Sequence, residues 1–163
     1  MREILFRGKT PFSGEWVQGF YVHIPCGRGG AEEHLIQTIK PDGRIDAFYA
    51  VNPDTVGQYT GMTDKNDKKI FEGDILRAKV YETAIEDSSF WGKHKVRTGN
   101  RITAVWSVEY KNFITKCGYF IYGKDRRFNR LLTTSVIING ECEVIGNIHD
   151  NPELLKGGAD NDL

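Results

Sequence analysis

From Thr55 to Leu76 (TVGQYTGMTDKNDKKIFEGDIL) an apolar and polar alternation breaks into a run of turn-forming residues, then restarts through Glu72-Gly73-Asp74. Alternation at period two lets one face of a strand be buried, and Asp, Asn and Gly between two such runs reverse the chain. Helical periodicity is hard to find anywhere else. The chain is therefore constrained to antiparallel sheet.

The same alternation recurs along the sequence. Glu3 to Arg7 reads as a short first strand ended by Gly8, and Glu15 to Ile24 (EWVQGFYVHI) as its hairpin partner, rich in aromatic and β-branched residues. Pro25 to Gly30 reads as a loop, His34 to Ile39 as a strand, Pro41-Asp42-Gly43 as a turn and Arg44 to Val51 as a further strand. After Asn52-Pro53, strands Val56 to Thr60 and Ile75 to Tyr81 flank the turn-rich block, and residues 82–100 are expected to be the least regular part. Arg101 to Tyr110 alternates cleanly with Ile102, Ala104, Trp106 and Val108 on one face, and Phe113 to Tyr122 follows as an aromatic strand. Val136-Ile137-Ile138, the turn Asn139-Gly140 and Cys142 to Ile148 predict a hairpin with a type I′ turn. Asn151-Pro152-Glu153-Leu154-Leu155 has the order of a short helix start, and Lys156 to Leu163 reads as a frayed tail.

At 163 residues with 39% hydrophobic content, the chain can bury one core or two small ones without metals or disulfides. No apolar run approaches the roughly 20 residues of a membrane-spanning helix, and MREILFRGKT carries charge where a secretory signal is apolar. Cys26, Cys117 and Cys142 are odd in number and far apart, which suits a reducing compartment and argues against a disulfide framework. The 22 basic and 22 acidic side chains cancel overall but are unevenly spread. From Trp91 to Arg130 ten Lys or Arg face only Glu109 and Asp125, leaving that stretch at +8 and the remainder at −8.

Met1-Arg2-Glu3-Ile4 with Phe6-Arg7-Gly8-Lys9, then Gly14-Glu15-Trp16-Val17, the Thr55 to Leu76 block and Glu143 to Leu155 (EVIGNIHDNPELL) stand in one order and spacing. Together they resemble the YopX family of phage and prophage proteins; about residues 82–130 are not covered by the resemblance. It implies a β-rich, phage-encoded protein acting in the cytoplasm of an infected or lysogenic bacterium, and it brings no particular reaction with it. Family members commonly carry Asn-Gly where this chain has Asn66-Asp67. Asp adopts a left-handed conformation less readily than Gly, so a longer or looser turn is expected here.

Within these blocks Gly57 and Gly61 bracket Tyr59, Gly73 separates Glu72 from Asp74, and Gly146-Asn147 precedes Asn151-Pro152. Glycines at turns and close packings are structural devices, and turn carboxylates accept backbone hydrogen bonds. All ten residues are read as architectural. Glu72-Gly73-Asp74 before an apolar strand also resembles the turn entering a strand of SH3-like small barrels.

Candidate chemistry is sparse. His23, Cys26 and His34 are borderline-soft donors close in sequence, but no fourth ligand completes a standard spacing, so neither a metal nor a cofactor is expected. Cys26-Gly27-Arg28-Gly29-Gly30 lacks the order and following helix of a phosphate loop. A triad assembled from Cys117 or Ser135 with His94 or His149 rests on no local motif. An enzyme is not expected.

Two binding readings remain. Lys93, Lys95, Arg97, Arg101, Lys111, Lys116, Lys124, Arg126, Arg127 and Arg130 interleave with aromatics including Trp91, Tyr119 and Phe128. Basic groups track phosphates while aromatic faces stack bases, so Lys93, Lys95, Arg97, Arg101, Lys124, Arg126, Arg127 and Arg130 with Trp91 and Phe128 form the candidate nucleic-acid site. Zero net charge, and the ordinary use of alternating aromatics as core, weigh against it. Segmental polarity equally favours pairing of basic and acidic surfaces between copies of the chain, or with a host protein, and this is the leading reading. His149-Asp150 could border such an interface, although a surface turn is the simpler assignment.

The expected fold is mainly β, with antiparallel sheets, an SH3-like small barrel plus an N-terminal β-meander, and at most one or two short helices. Its expected divisions are the meander over 1–53, the barrel region over 54–155 with a variable insertion at about 82–100, and a tail over 156–163. The expected role is that of a self-associating phage accessory protein, with nucleic-acid binding by residues 91–130 as the alternative.

Overall fold

A computed structural model describes residues 3–26, 28–88, 92–112, 117–122, 130–131, 137–138 and 141–155. The protein is mainly β, as its alternation predicts, and its described helical segments are short. Two compact units divide it. One comprises Met1–Thr63 with Lys69–Gly73, the other Asp64–Lys68 with Asp74–Leu163.

The first unit holds strands β1 (Phe6–Lys9), β2 (Trp16–Ile24), β3 (Glu33–Ile39), β4 (Ile45–Ala50), β5 (Gly57–Thr63) and β6 (Lys69–Phe71), in sheet order β4-β3-β2-β1-β5-β6. β1 and β2 form the expected hairpin, with Phe6 opposite Gly19 and Lys9 opposite Trp16. Gly8 does not end β1. It lies inside the strand because Val51 packs over it, and a Cβ there would stand 3.0 Å from the Val51 Cβ.

After β4 the chain crosses to the other edge of β1. Asn52 N donates to Lys9 O at 2.8 Å, Lys9 N donates to Thr55 Oγ1 at 2.9 Å, and Asn52 Oδ1 accepts from Asp54 N at 3.1 Å. Those bonds hold the short 3-10 turn Pro53–Thr55, from which β5 leaves to pair antiparallel with β1. Ile36, Val51, Tyr59, Ile70 and Phe71 are buried in this unit. Arg7 is buried among them, its guanidinium 4.6 Å from the Trp16 ring centroid and 4.8 Å from that of Phe71. Aromatic faces on both sides offset part of the cost of taking that charge out of water.

The second unit holds β7 (Asp74–Ser88), β8 (Gly92–Asn112), β9 (Cys117–Tyr122), β10 (Arg130–Leu131) and β11 (Glu143–Asn147), in order β10-β9-β8-β7-β11. Residues 82–100 were expected to be irregular, but the described part of that stretch continues β7 and β8 as one antiparallel ribbon, from Ile75 opposite Ser107 to Ser88 opposite Gly92. Polar residues blur the alternation there, whereas the backbone ladder needs no apolar face. Among the described residues, Ile75, Leu76, Ala78, Trp106, Val108, Ile137, Cys142 and Val144 are buried apolar residues of this unit.

The expected hairpin of Val136-Ile137-Ile138 with Cys142 to Ile148 is not formed. Ile137 and Ile138 are helical, Cys142 N donates to Ile137 O at 3.0 Å, and β11 pairs instead with β7, Glu143 opposite Arg77 and Asn147 opposite Asp74. Non-local pairing wins because it buries Val144 against the apolar core, which a local hairpin leaves undone. Asn139 and Gly140 lie outside the described residues, as does the tail from Lys156. Pro152–Leu155 forms the short helical turn expected there, of 3-10 type.

Candidate functional site

Two regions gather polar side chains, and they are built differently. The first begins at Asp64, which opens the turn after β5 and is itself buried. Its Oδ1 accepts from Asn66 N at 2.7 Å and Lys68 N at 3.0 Å, while Oδ2 accepts from Val144 N of β11 at 2.9 Å. Lys65 N adds a bond to Cys142 O at 2.9 Å. Asp67 sits in the left-handed region at φ 60°, and Asp64 N donates to Lys68 O at 2.8 Å. The looser turn expected from Asn66-Asp67 is thus not seen: the turn closes tightly, with Asp67 in the conformation a glycine takes elsewhere. Asp64 was not singled out from the sequence. An Asp two residues before Asn66 does suit an Asx turn, but nothing in the sequence shows the bond to Val144.

Around that turn the other signature residues act on the chain itself. A Cβ at Gly57 would stand 2.6 Å from the Glu72 carbonyl oxygen, and Glu72 Oε2 accepts from Gln58 N at 2.9 Å. Tyr59 is buried against Phe71, ring centroids 5.5 Å apart. Gly61 and Gly73 take φ 82° and 78°. Buried Asp74 accepts from Asn147 Nδ2 at 3.5 Å, and Asn147 Oδ1 accepts from His149 N at 3.0 Å. At Gly146 a Cβ would meet Asn151 Oδ1 at 2.7 Å, and Pro152 opens the 3-10 turn behind it. His149 and Asp150 are exposed in a turn closed by Asp150 N and Asn151 N donating to Asn147 O.

Burial, and then the charge of Asp64, push the Cys142 thiol up to about 11. At neutral pH it is a protonated, buried group with no nucleophilic character.

The second region lies on β2, β3 and β4. Antiparallel pairing sets His23 directly opposite His34, with Tyr21 opposite Ile36 on the same face. The loop between β2 and β3 then returns Glu32 beside both imidazoles. Its Oε1 stands 2.5 Å from His23 Nε2 and 3.5 Å from His34 Nε2. The imidazoles stack at 4.8 Å between centroids and 8° between planes, and Tyr21 Oη lies 2.5 Å from His34 Nδ1. Burial, followed by the negative charge of Glu32, raises the Tyr21 phenol above its ordinary value, so it stays protonated. Cys26, exposed in the turn after β2, is not in the group: among the described residues, Glu32 replaces it as the third donor beside the histidines.

The opposite face of these strands is apolar. Phe20, Gln37 and Phe48 form one row across β2, β3 and β4, and Phe20 and Phe48 are 45% and 51% exposed. Ile39 and Ile45 pair at the end of the same two strands and are also exposed. β4 is a sheet edge among the described residues.

Of the candidate nucleic-acid residues, Lys93, Lys95, Arg97 and Arg101 stand on β8, opposite Asp87, Ile85, Thr83 and Tyr81 of β7, and Arg130 begins β10. Trp91, Lys116, Lys124, Arg126, Arg127 and Phe128 lie outside the described residues.

Open antiparallel sheets joined by short turns, with the recurring glycines and carboxylates holding those turns, define an all-β protein whose most distinctive residues are architectural. The YopX protein family matches residues 5–156, nearly the whole chain, and the chain belongs to it. A crystal structure of protein EF1440 from Enterococcus faecalis shares the fold at a TM-score of 0.53 and 21% identity, covering 95% of this chain and 99% of that one. No curated protein matches the sequence. Among the described residues no helix is long and apolar enough to cross a membrane.

Proposed function

We propose that this protein is a non-enzymatic accessory protein of phage or prophage origin, working in the bacterial cytoplasm through protein contacts, and that it pairs with a second copy of itself along β4. The observation that carries this reading is the edge strand Ile45–Ala50, IDAFYA, in which Ile45, Phe48 and Tyr49 are exposed. An edge strand offers unpaired N–H and C=O groups to any strand that approaches, and proteins blunt such edges with Lys or Pro. β4 has neither. Its one charge, Asp46, is answered within the sheet by Thr38 Oγ1 at 3.3 Å and Lys40 Nζ at 3.9 Å. Antiparallel pairing of β4 with its own copy about a two-fold axis continues the sheet and sets Phe48 beside the side chains of the partner's β4.

Sedimentation across a hundredfold range of concentration tests this. A concentration-dependent dimer that Phe48→Lys converts to monomer supports the reading; a wild-type monomer throughout overturns it.

A second reading keeps nucleic acid as the partner. It is favoured by the β7–β8 ribbon, which places Lys93, Lys95 and Arg97 at alternate positions of one strand. Two-stranded ribbons fit the major groove of a duplex, and basic residues supply a salt-dependent attraction. Oligonucleotide binding that weakens as salt rises, and is lost in Lys93→Glu/Lys95→Glu, supports it; no binding at low ionic strength removes it.

A further inference from the structure

The sequence offers His23, Cys26 and His34 as donors with no fourth partner, and antiparallel pairing supplies what spacing could not. Residues directly opposite across two strands have Cβ atoms about 5 Å apart on one face, close enough for two imidazoles to reach one point. Glu32, one residue before β3, completes the group, and the three donor atoms lie within 4.8 Å of one another. We propose that His23, Glu32 and His34 bind one divalent cation of the zinc type, with solvent filling the remaining coordination.

Three features of the hairpin fit that chemistry. Donors around a tetrahedral zinc ion stand about 3.3 Å apart, given metal–ligand distances near 2.0 Å. Glu32 Oε1 and His34 Nε2 already stand at 3.5 Å. His23 and Glu32 stand closer, in hydrogen-bond contact at 2.5 Å, and the pair opens by roughly 1 Å as the cation enters between them. Both side chains are free to do so, at 41% and 57% exposed, while His34 at 17% is the fixed member. Tyr21 is the second feature. Its Oη on His34 Nδ1 leaves Nε2 to face the cation, as outer hydrogen bonds do for metal-bound histidines. The donor set is the third: two imidazoles with one carboxylate suit zinc, nickel or copper, and calcium or magnesium poorly. The carboxylate also brings negative charge, which offsets part of the cation's charge.

The test is calorimetric titration of the full chain with zinc chloride at pH 7.5, with thermal melting in parallel. The proposal expects one saturable equivalent per chain, a higher Tm with zinc, and no response to magnesium. Affinity should fall at least tenfold in His23→Gln and in Glu32→Gln, and roughly tenfold in Tyr21→Phe, which removes an outer hydrogen bond and no ligand. His23 and Glu32 are exposed, so their variants test the site even if His34→Gln disturbs the fold; matching circular dichroism shows that the fold is kept. Absence of a saturable equivalent, or zinc affinity unchanged in His23→Gln and Glu32→Gln, overturns it. Neither result depends on whether the chain dimerises.

Discussion

The turn from Asp64 to Lys68 and the hairpin of β2 with β3 are made from similar residue types and use them in opposite ways. Asp64 is buried, and its carboxylate accepts from three backbone N–H groups. Glu32 is exposed, and the groups beside its carboxylate are the side chains of His23 and His34. A carboxylate held by backbone donors is fixed to the chain and has nothing to exchange. One held by imidazoles can trade a proton for a ligand. Thus Asp64 is bonded to the backbone around it, while Glu32, His23 and His34 meet through their side chains.

Asp64→Ala should show the largest effect. It strands the buried backbone donor of Val144 and takes the acceptor away from the N–H groups of Asn66 and Lys68 in the turn, and urea unfolding should reveal a loss of about 3 kcal/mol. A loss under about 1 kcal/mol would erase the contrast between the two regions. Gly57→Ala comes next, because the new methyl group meets the Glu72 carbonyl, a backbone atom that cannot step aside. About 1–3 kcal/mol of destabilisation is expected in the same assay.

Asp67→Gly sharpens the comparison in the other direction. It restores the commoner turn residue and relieves the left-handed strain at φ 60°. Offset by the greater freedom of glycine in the unfolded chain, a gain of about 0.5 kcal/mol is expected. Phe20→Ser, on the exposed face of β2, should leave monomer stability within about 0.5 kcal/mol of wild type. A large loss there would mean that the face is core.

The smallest effect concerns Glu143, whose carboxyl is held below the ordinary carboxylate range first by a hydrogen bond from Lys65 and then by one from Arg77. Since the folded value is the depressed one, its contribution is present above the unfolded value and is lost as the pH falls through the folded one. Unfolding curves of wild type and Glu143→Gln should therefore converge below the ordinary carboxylate range and separate slightly above it.

What could be read in advance follows from range. Alternation placed β2, β3, β4 and the later half of β8 from Arg101 to Tyr110, because a half-buried strand writes its two faces into neighbouring residues. Pro41-Asp42-Gly43 and the Asn52-Pro53 pair marked real turns because their chemistry is local. Val136 to Ile148 was misread for the converse reason: Asn139-Gly140 is a strong local hairpin sequence, yet β11 gains more by pairing with β7, some seventy residues earlier. The His23 and His34 pair is visible as two donors, but Cys26 lies beside the one and Glu32 beside the other, so nearness in sequence does not pick the third. Only strand register could choose between them.

By itself, then, the sequence determined a mainly β protein of this family, with glycines and carboxylates at its turns, because turn chemistry and strand periodicity act over a few residues. The tertiary structure decided which carboxylate is buried against which strand, which edge is left open at β4, and which three side chains converge beside Tyr21. Those are contacts across strands, from one hairpin to pairings some seventy residues apart, and no pattern of adjacent residues encodes them.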